Sequence, residues 1–134
     1  MKPMNLLHDL IRDVAANEIM PYFLRVQSAR KEDGSVLSQA DLAAQAKLVF
    51  RLPQIIAAPV LGEEMAAGEQ QALWVQHAHS GLWVIDPIDG TNNFVNGLPH
   101  FAVSVAYVAQ GRAQLGAIFN PISGELFWAE RGGG

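Results

Sequence analysis

From Met4 to Gln27 the apolar residues Leu6, Leu7, Leu10, Ile11, Val14, Ala15 and Ile19 recur at spacings of three and four, which lays them along one face of a helix. Pro21 predicts a kink or a break, with Tyr22, Phe23 and Val26 making a further apolar turn beyond it. His8 falls off the apolar stripe and is expected to be exposed. Lys31-Glu32-Asp33-Gly34-Ser35 has the composition of a turn. Ser38-Gln39-Ala40-Asp41 then has the spacing of a capping box, so a second helix is expected to start there, carry Leu42, Ala43, Ala46, Val49 and Phe50, and stop at Leu52-Pro53.

Beyond Pro53 the pattern changes to short apolar runs. Gln54 to Leu61, rich in Ile, Ala and Val, is short enough for a strand, and Pro59 makes it an edge strand or leaves only its end paired. It delivers Gly62-Glu63-Glu64 at its carboxyl end. Ala66 to Ser80 is irregular or weakly helical, and Leu82 to Ile85 is a strand. The remainder predicts a meander of Phe101 to Ala109, Ala113 to Phe119 and Glu125 to Glu130, joined by turns at Gln110-Gly111 and Asn120 to Gly124. The expected class is therefore α+β, with two amino-terminal helices packed on a mainly antiparallel sheet.

Composition narrows the function. A chain of 134 residues that is 50% hydrophobic can bury one ordinary core, and no break in composition divides it, so residues 1–134 are expected to form a single domain. The absence of cysteine excludes a disulfide framework and thiolate metal sites. Met1-Lys2-Pro3-Met4 leads into an amphipathic segment rather than a signal peptide, and no apolar run approaches the roughly 20 residues of a membrane helix, so a cytoplasmic protein is expected. A net charge of −4 and a pI near 5.4 give no electrostatic footprint for nucleic acid. The one basic cluster, Arg25, Arg30 and Lys31, is either a solvated helix end or a loop in which Arg30 and Lys31 reach toward a phosphate.

Charge is distributed unevenly. Between Arg51 and Arg112 there is no Lys or Arg, while Glu63, Glu64, Glu69, Asp86 and Asp89 all fall inside that gap. If this region handles an anion, its cations must come from solution. Leu82-Trp83-Val84-Ile85 runs directly into Asp86-Pro87-Ile88-Asp89, which mounts two carboxylates at a strand end with Pro87 fixing the backbone between them. The Ile88 carbonyl turns toward the same point, and Glu63, at the end of another strand, can complete the cluster. Hard divalent ions such as magnesium bind oxygen and accept few protein carboxylates, which suits this set. Without metal the carboxylates repel one another, and at least one gains a proton. Gly90-Thr91-Asn92-Asn93 then begins a short helix or tight turn, whose amides can meet a phosphate oxygen. Thr91 can ligate metal or orient a water, and Asp41 is placed to accept from its hydroxyl.

Each residue also has a purely structural reading. Asp86 and Asp89 are in turn-forming dipeptides, Glu63 and Glu64 in a solvated loop, Asp41 in the first turn of a capped helix, and Thr91 at an N-cap. His77 and His79 have ligand-like spacing but no third nitrogen ligand nearby, which makes them loop residues. His100 is either a site member or a buried structural residue. Met65 and the three Trp are expected to pack.

The run Trp83-Val84-Ile85-Asp86-Pro87-Ile88-Asp89-Gly90-Thr91-Asn92-Asn93-Phe94 resembles the first signature of the inositol monophosphatase family, and Gly62-Glu63-Glu64 and Ser38-Gln39-Ala40-Asp41 fall where that family has its other amino-terminal motifs. The likeness continues through Leu98-Pro99-His100-Phe101 to the glycines at 132–134. It implies the first half of a layered αβαβα sugar-phosphatase fold and magnesium-dependent hydrolysis of small phosphate monoesters, often lithium-sensitive, by enzymes that are commonly homodimers. By matching position it implies that Glu63, Asp86, the Ile88 carbonyl and Asp89 bind metal, with Thr91 beside the first ion. Glu63, Asp41 and Thr91 would align the attacking water, and the Gly90 and Thr91 amides would hold phosphate. In that chemistry one ion activates water and a second stabilises the leaving alkoxide, with no phosphoenzyme.

Two departures from the family pattern stand out. The cap motif has Ser38 and Gln39 where relatives carry Thr and an acid. Family members also continue into a second domain whose Trp-Asp motif supplies a further aspartate, which leaves one metal short of a ligand here. The expected substrate is inositol monophosphate. The same chemistry on histidinol phosphate, a nucleotide 3'-phosphate or fructose 1,6-bisphosphate is the first alternative, and a catalytically inactive remnant or interaction module is the second.

Overall fold

The computed structural model describes residues 2–28, 34–63 and 65–133. The first apolar stripe forms one long helical run: α1 (Pro3–Val14), a π-helical turn over Ala15–Ile19, and α2 (Met20–Ser28). Pro21 neither breaks nor ends it. Its ring would crowd the carbonyl of Asn17 in a regular helix, and Asn17 lies inside the π turn, where the wider spacing marked by the Met20 N–H bond to the Ala15 carbonyl gives room. Leu7, Leu10, Ile11, Val14, Ile19, Phe23 and Val26 are buried along this run. His8 is not the exposed residue its position suggests. It is half-buried, with its ring 5.3 Å from that of Trp128.

The second helix, α3, runs Ser35–Ile55, longer at both ends than expected. Gly34, in the left-handed region at φ 90°, is its N-cap, while the Ser38 hydroxyl donates back to the Gly34 carbonyl at 3.1 Å. Ser38 is therefore a residue of the first turn and not a cap, and Asp41 sits a turn further into the helix. Pro53 lies within the last turn without stopping it, because Leu52 is buried and Ile55 packs on the core. The strand expected from Gln54 accordingly shrinks to β1 (Val60–Leu61). α4 (Ala67–His77) is a definite helix, with His77 in its last turn and His79 exposed beyond it.

One five-stranded sheet follows, in the order β1-β2-β3-β4-β5, with β2 Leu82–Asp89, β3 Ala102–Ala109, β4 Arg112–Phe119 and β5 Leu126–Glu130. β1 pairs parallel to β2 at the edge, and the remaining pairs are antiparallel. β2 does not end at Asp86. It continues to Asp89 through an irregularity between those two residues, so Pro87 sits in a strand bulge and not in a turn. Period-two alternation sends Trp83, Ile85, Val103, Val105, Leu115, Ala117 and Phe119 into the core beneath the helices. The opposite face carries Ser104, Ala106, Gly116 and Ala129 flanked by Ile118 and Phe127, which are largely exposed. Of the three Trp only Trp83 is fully buried; Trp74 and Trp128 are about half exposed because they lie on α4 and the edge strand β5.

Two local contacts hold the central strand. The Trp83 indole donates to the Ile56 carbonyl at 3.0 Å, tying β2 to the exit of α3, and its ring lies 5.1 Å from Tyr107. After β2, Gly90 at φ 99° turns the chain into α5 (Thr91–Val95), with Gly90 as N-cap and Thr91 as the first helical residue. A Cβ at Gly90 would stand 2.8 Å from the His100 carbonyl oxygen. Among the described residues no helix is long and apolar enough to cross a membrane.

These contacts give two stability predictions. Trp83→Phe removes the indole donor and part of a filled core volume, and is expected to cost about 2–4 kcal/mol in urea denaturation. Gly90→Ala meets both a left-handed backbone and a backbone oxygen that cannot move aside, so a loss of at least about 2 kcal/mol is expected by the same measurement.

Candidate metal and phosphate site

Asp86 is the centre of the site. Its position on β2 places it opposite Ser104 of β3, where the irregularity in the ladder begins, and it is half-buried. One carboxylate oxygen, Oδ1, is buried with no hydrogen-bond partner. Burial raises the Asp86 carboxyl from 3.8 to about 6, and the charges of Glu63, Asp89 and Asp41 add to that rise against a hydrogen bond from the Ile88 backbone. The rise thus reports two things: loss of water, and three acids from three separate elements close enough to repel Asp86. Among the described residues no cationic side chain acts on it.

The elements bring these acids together in different ways. Asp41 comes from α3, whose side also packs on β2 and α5. Glu63 is exposed in the turn just past β1, two residues beyond the last ladder pair, Leu61 with Val84. Asp89 is exposed at the end of β2, while the Ile88 side chain between them is anchored in the core. Thr91 is exposed at the start of α5, directly after Gly90. Glu64, Arg30 and Lys31 lie outside the described residues. His77, His79 and His100 do not join an acid cluster: among the described residues no three such side chains close into a ready-made cage for an ion.

Two side chains brace these loops: Asn93, which lies in the signature run, and Gln70, which lies in no motif. The Asn93 amide donates to the His100 carbonyl at 2.8 Å, and so holds the segment after α5 against Gly90. The Gln70 amide on α4 donates to the carbonyls of Gly62, at 2.9 Å, and Glu63, at 3.2 Å. Neither bond is legible from spacing, since a bond to a carbonyl asks nothing of the partner's side chain. The donor set as a whole is oxygen: four carboxylates, one with a buried oxygen lacking a partner, next to a carbonyl-bearing bulge. That chemistry fits a hard divalent cation and does not fit a softer metal that prefers nitrogen or sulfur.

Comparison with known proteins identifies the family of the chain. The sequence profile of the inositol monophosphatase family matches residues 4–134. An inositol-1-monophosphatase of Rhizobium meliloti is 40% identical over 109 residues, covering 81% of this chain and 39% of that protein. A fructose-1,6-bisphosphatase/inositol-1-monophosphatase of Thermotoga maritima is 35% identical over 118 residues, covering 87% of this chain and 43% of its own length. The crystal structure of extragenic suppressor protein suhB from Bartonella henselae superposes with a TM-score of 0.72 at 30% identity, over 98% of this chain and 49% of that one. The chain therefore spans less than half the length of these relatives. Two helical segments over a mostly antiparallel sheet, acids gathered at the end of its second strand, and a profile match running from residue 4 to the last residue place this chain in the inositol monophosphatase family.

Proposed function

We propose that this chain carries the metal- and phosphate-binding part of a magnesium-dependent phosphomonoesterase. The observation that supports it most is the state of Asp86: half-buried, repelled by Glu63, Asp89 and Asp41, and left with a carboxylate oxygen that has no partner. A group in that state is stabilised by a cation and by little else the chain offers. Glu63, Asp86, Asp89 and the Ile88 carbonyl would hold the ion. Magnesium, when bound, supplies Lewis acidity toward phosphate oxygens and toward an attacking water.

The chain's own groups do the rest. In this reading the Gly90 and Thr91 N–H groups, at the turn into α5, donate to phosphate oxygens. Asp41, Glu63 and Thr91 orient the water by accepting and donating hydrogen bonds at the same opening. The acids cannot neutralise a phosphate dianion, so the substrate's charge must be met by cations from solution. Inositol monophosphate is the proposed substrate, in line with the name of the Rhizobium relative, and fructose 1,6-bisphosphate is the second reading, in line with that of the Thermotoga relative. A homodimer is proposed on the family resemblance.

The direct test is magnesium-dependent release of phosphate from inositol 1-phosphate and fructose 1,6-bisphosphate, alongside magnesium binding by calorimetry. Asp89→Asn is expected to lower turnover by roughly 100-fold or more and to weaken magnesium binding. Turnover that survives both this substitution and chelation of magnesium would remove the metal reading.

A second prediction comes from linkage. The Asp86 carboxyl is higher in the folded chain than its ordinary 3.8, so between there and about pH 6 the folded state holds a proton that the unfolded chain has released. Stability of the metal-free protein therefore falls as pH rises through that window, and the penalty stands in full above it. Asp86→Asn removes the penalty. Allowing for partial exposure, the variant is expected to melt about 3–6 °C above the wild type at pH 7.5 without magnesium, with the gap closing near pH 4. Adding magnesium should raise the melting temperature of the wild type alone.

A further inference from the structure

Glu63 is the least supported of the acids around Asp86. β1 has only two residues, its ladder with β2 ends at Leu61, and Glu63 follows in an exposed turn. Within the turn itself the ties are weak: the Met65 N–H reaches the Gly62 carbonyl at 3.3 Å, and the Gly62 N–H reaches the Met65 sulfur at 3.5 Å. Both of the carbonyls that leave the sheet, those of Gly62 and Glu63, are instead capped by one side-chain amide, that of Gln70 in the first turns of α4. On the other side Gly62 is closed by Gln45 of α3, one helical turn after Asp41: a Cβ at Gly62 would stand 2.9 Å from the Gln45 Oε1. The backbone that carries Glu63 is gripped between two helices, and Gln70 makes the polar half of that grip.

We infer that Gln70 is a positioning residue for Glu63, holding that carboxylate toward Asp86 for cation binding; the inference rests on the metal-site reading above. The residue type fits the task. Gln70 sits in the stretch between Arg51 and Arg112 that contains no Lys or Arg. A lysine or arginine there could also donate to the two carbonyls, but it would bring a fixed positive charge beside Glu63 and Asp86, pair with them, and compete with a divalent ion. A neutral amide supplies two donors and no charge. It braces the acid loop without quenching it.

The test is a double-mutant cycle on the full chain, with magnesium alone as the probe and calorimetric affinity as the readout. Gln70→Met keeps the bulk and loses the donors, and is expected to weaken magnesium binding about 10-fold, the effect of losing a partner that orients a ligand. In a Glu63→Gln background the same change is expected to do nothing further, because the group it positions no longer binds. Gln70→Ala, which favours the helix, serves as a second variant with the same expectation and guards against a folding defect in the first. Affinity unchanged by both variants, or a loss of equal size with and without Glu63, would overturn the inference while leaving the metal site standing. A wild-type chain that binds no magnesium, or binds it equally well as Glu63→Gln, would overturn the metal reading and this inference together.

Discussion

The constraint on which this structure turns is the mutual repulsion of carboxylates around Asp86. Burial alone disfavours the Asp86 charge, and Glu63, Asp89 and Asp41 disfavour it further, with no cationic side chain among the described residues to offset them. Such a cluster does not form to stabilise a fold. It has to be imposed by packing elsewhere, and the sheet and helices can be understood as the framework that imposes it. Trp83 and Ile85 fix β2 in the core, and Asp86 follows directly where the ladder becomes irregular. α3 is fixed by Ala40, Ala44, Leu48 and Leu52, all fully buried, and Asp41 follows from the position of Ala40. Lys47 ties the same helix to the first run through Asp13, at 2.7 Å, and Glu18, at 3.5 Å. The rigid parts of the molecule are apolar, and the acids are its overhang.

That division explains which residues occupy the special backbone positions. The bulge between Asp86 and Asp89 breaks the ladder so that both carboxylates can stand near one opening, whereas regular alternation over three residues would send them to opposite faces. Gly90 then turns the chain sharply enough for α5 to begin at once, and the His100 carbonyl, held by Asn93, closes against it. A side chain at Gly90 would push these apart. The phosphate cradle in the proposed function is thus a consequence of close backbone packing, and it would be lost with any residue that carries a Cβ there.

Much of this was legible in the sequence, and for a physical reason. The apolar run Leu82 to Ile85 followed by two acids signals a strand that ends in chemistry, and the antiparallel meander follows from alternation and turn residues. The long first helix follows from its three-and-four spacing. Pattern failed where tertiary packing overrode local preference. Ile55, Ile56, Ala57 and Ala58 have the composition of a strand, yet burial of Leu52 and packing of Ile55 carry α3 past Pro53 and leave only Val60 and Leu61 in the sheet. Ser38 has the spacing of a cap, but Gly34, four residues earlier and free to adopt a left-handed backbone, takes the role. His8 and Trp128 lie far apart in sequence and on the margins of their elements, so no periodicity foretells that their rings meet.

The least legible contacts are those of Gln70 and Asn93, and they share a chemistry. Each is a neutral amide from a helix that donates to carbonyls of a loop carrying or flanking the acids. A lysine or arginine on a carboxylate is another way to pin such a segment, and it is the route α3 takes through Lys47. Near Asp86 that route is closed, because a resident cation would satisfy the charge the site holds open. In the proposed metal reading, the absence of Lys and Arg between Arg51 and Arg112 and the presence of amide braces in the same stretch serve one requirement: the acids are ordered through their backbone, and their charge is left for a cation from solution.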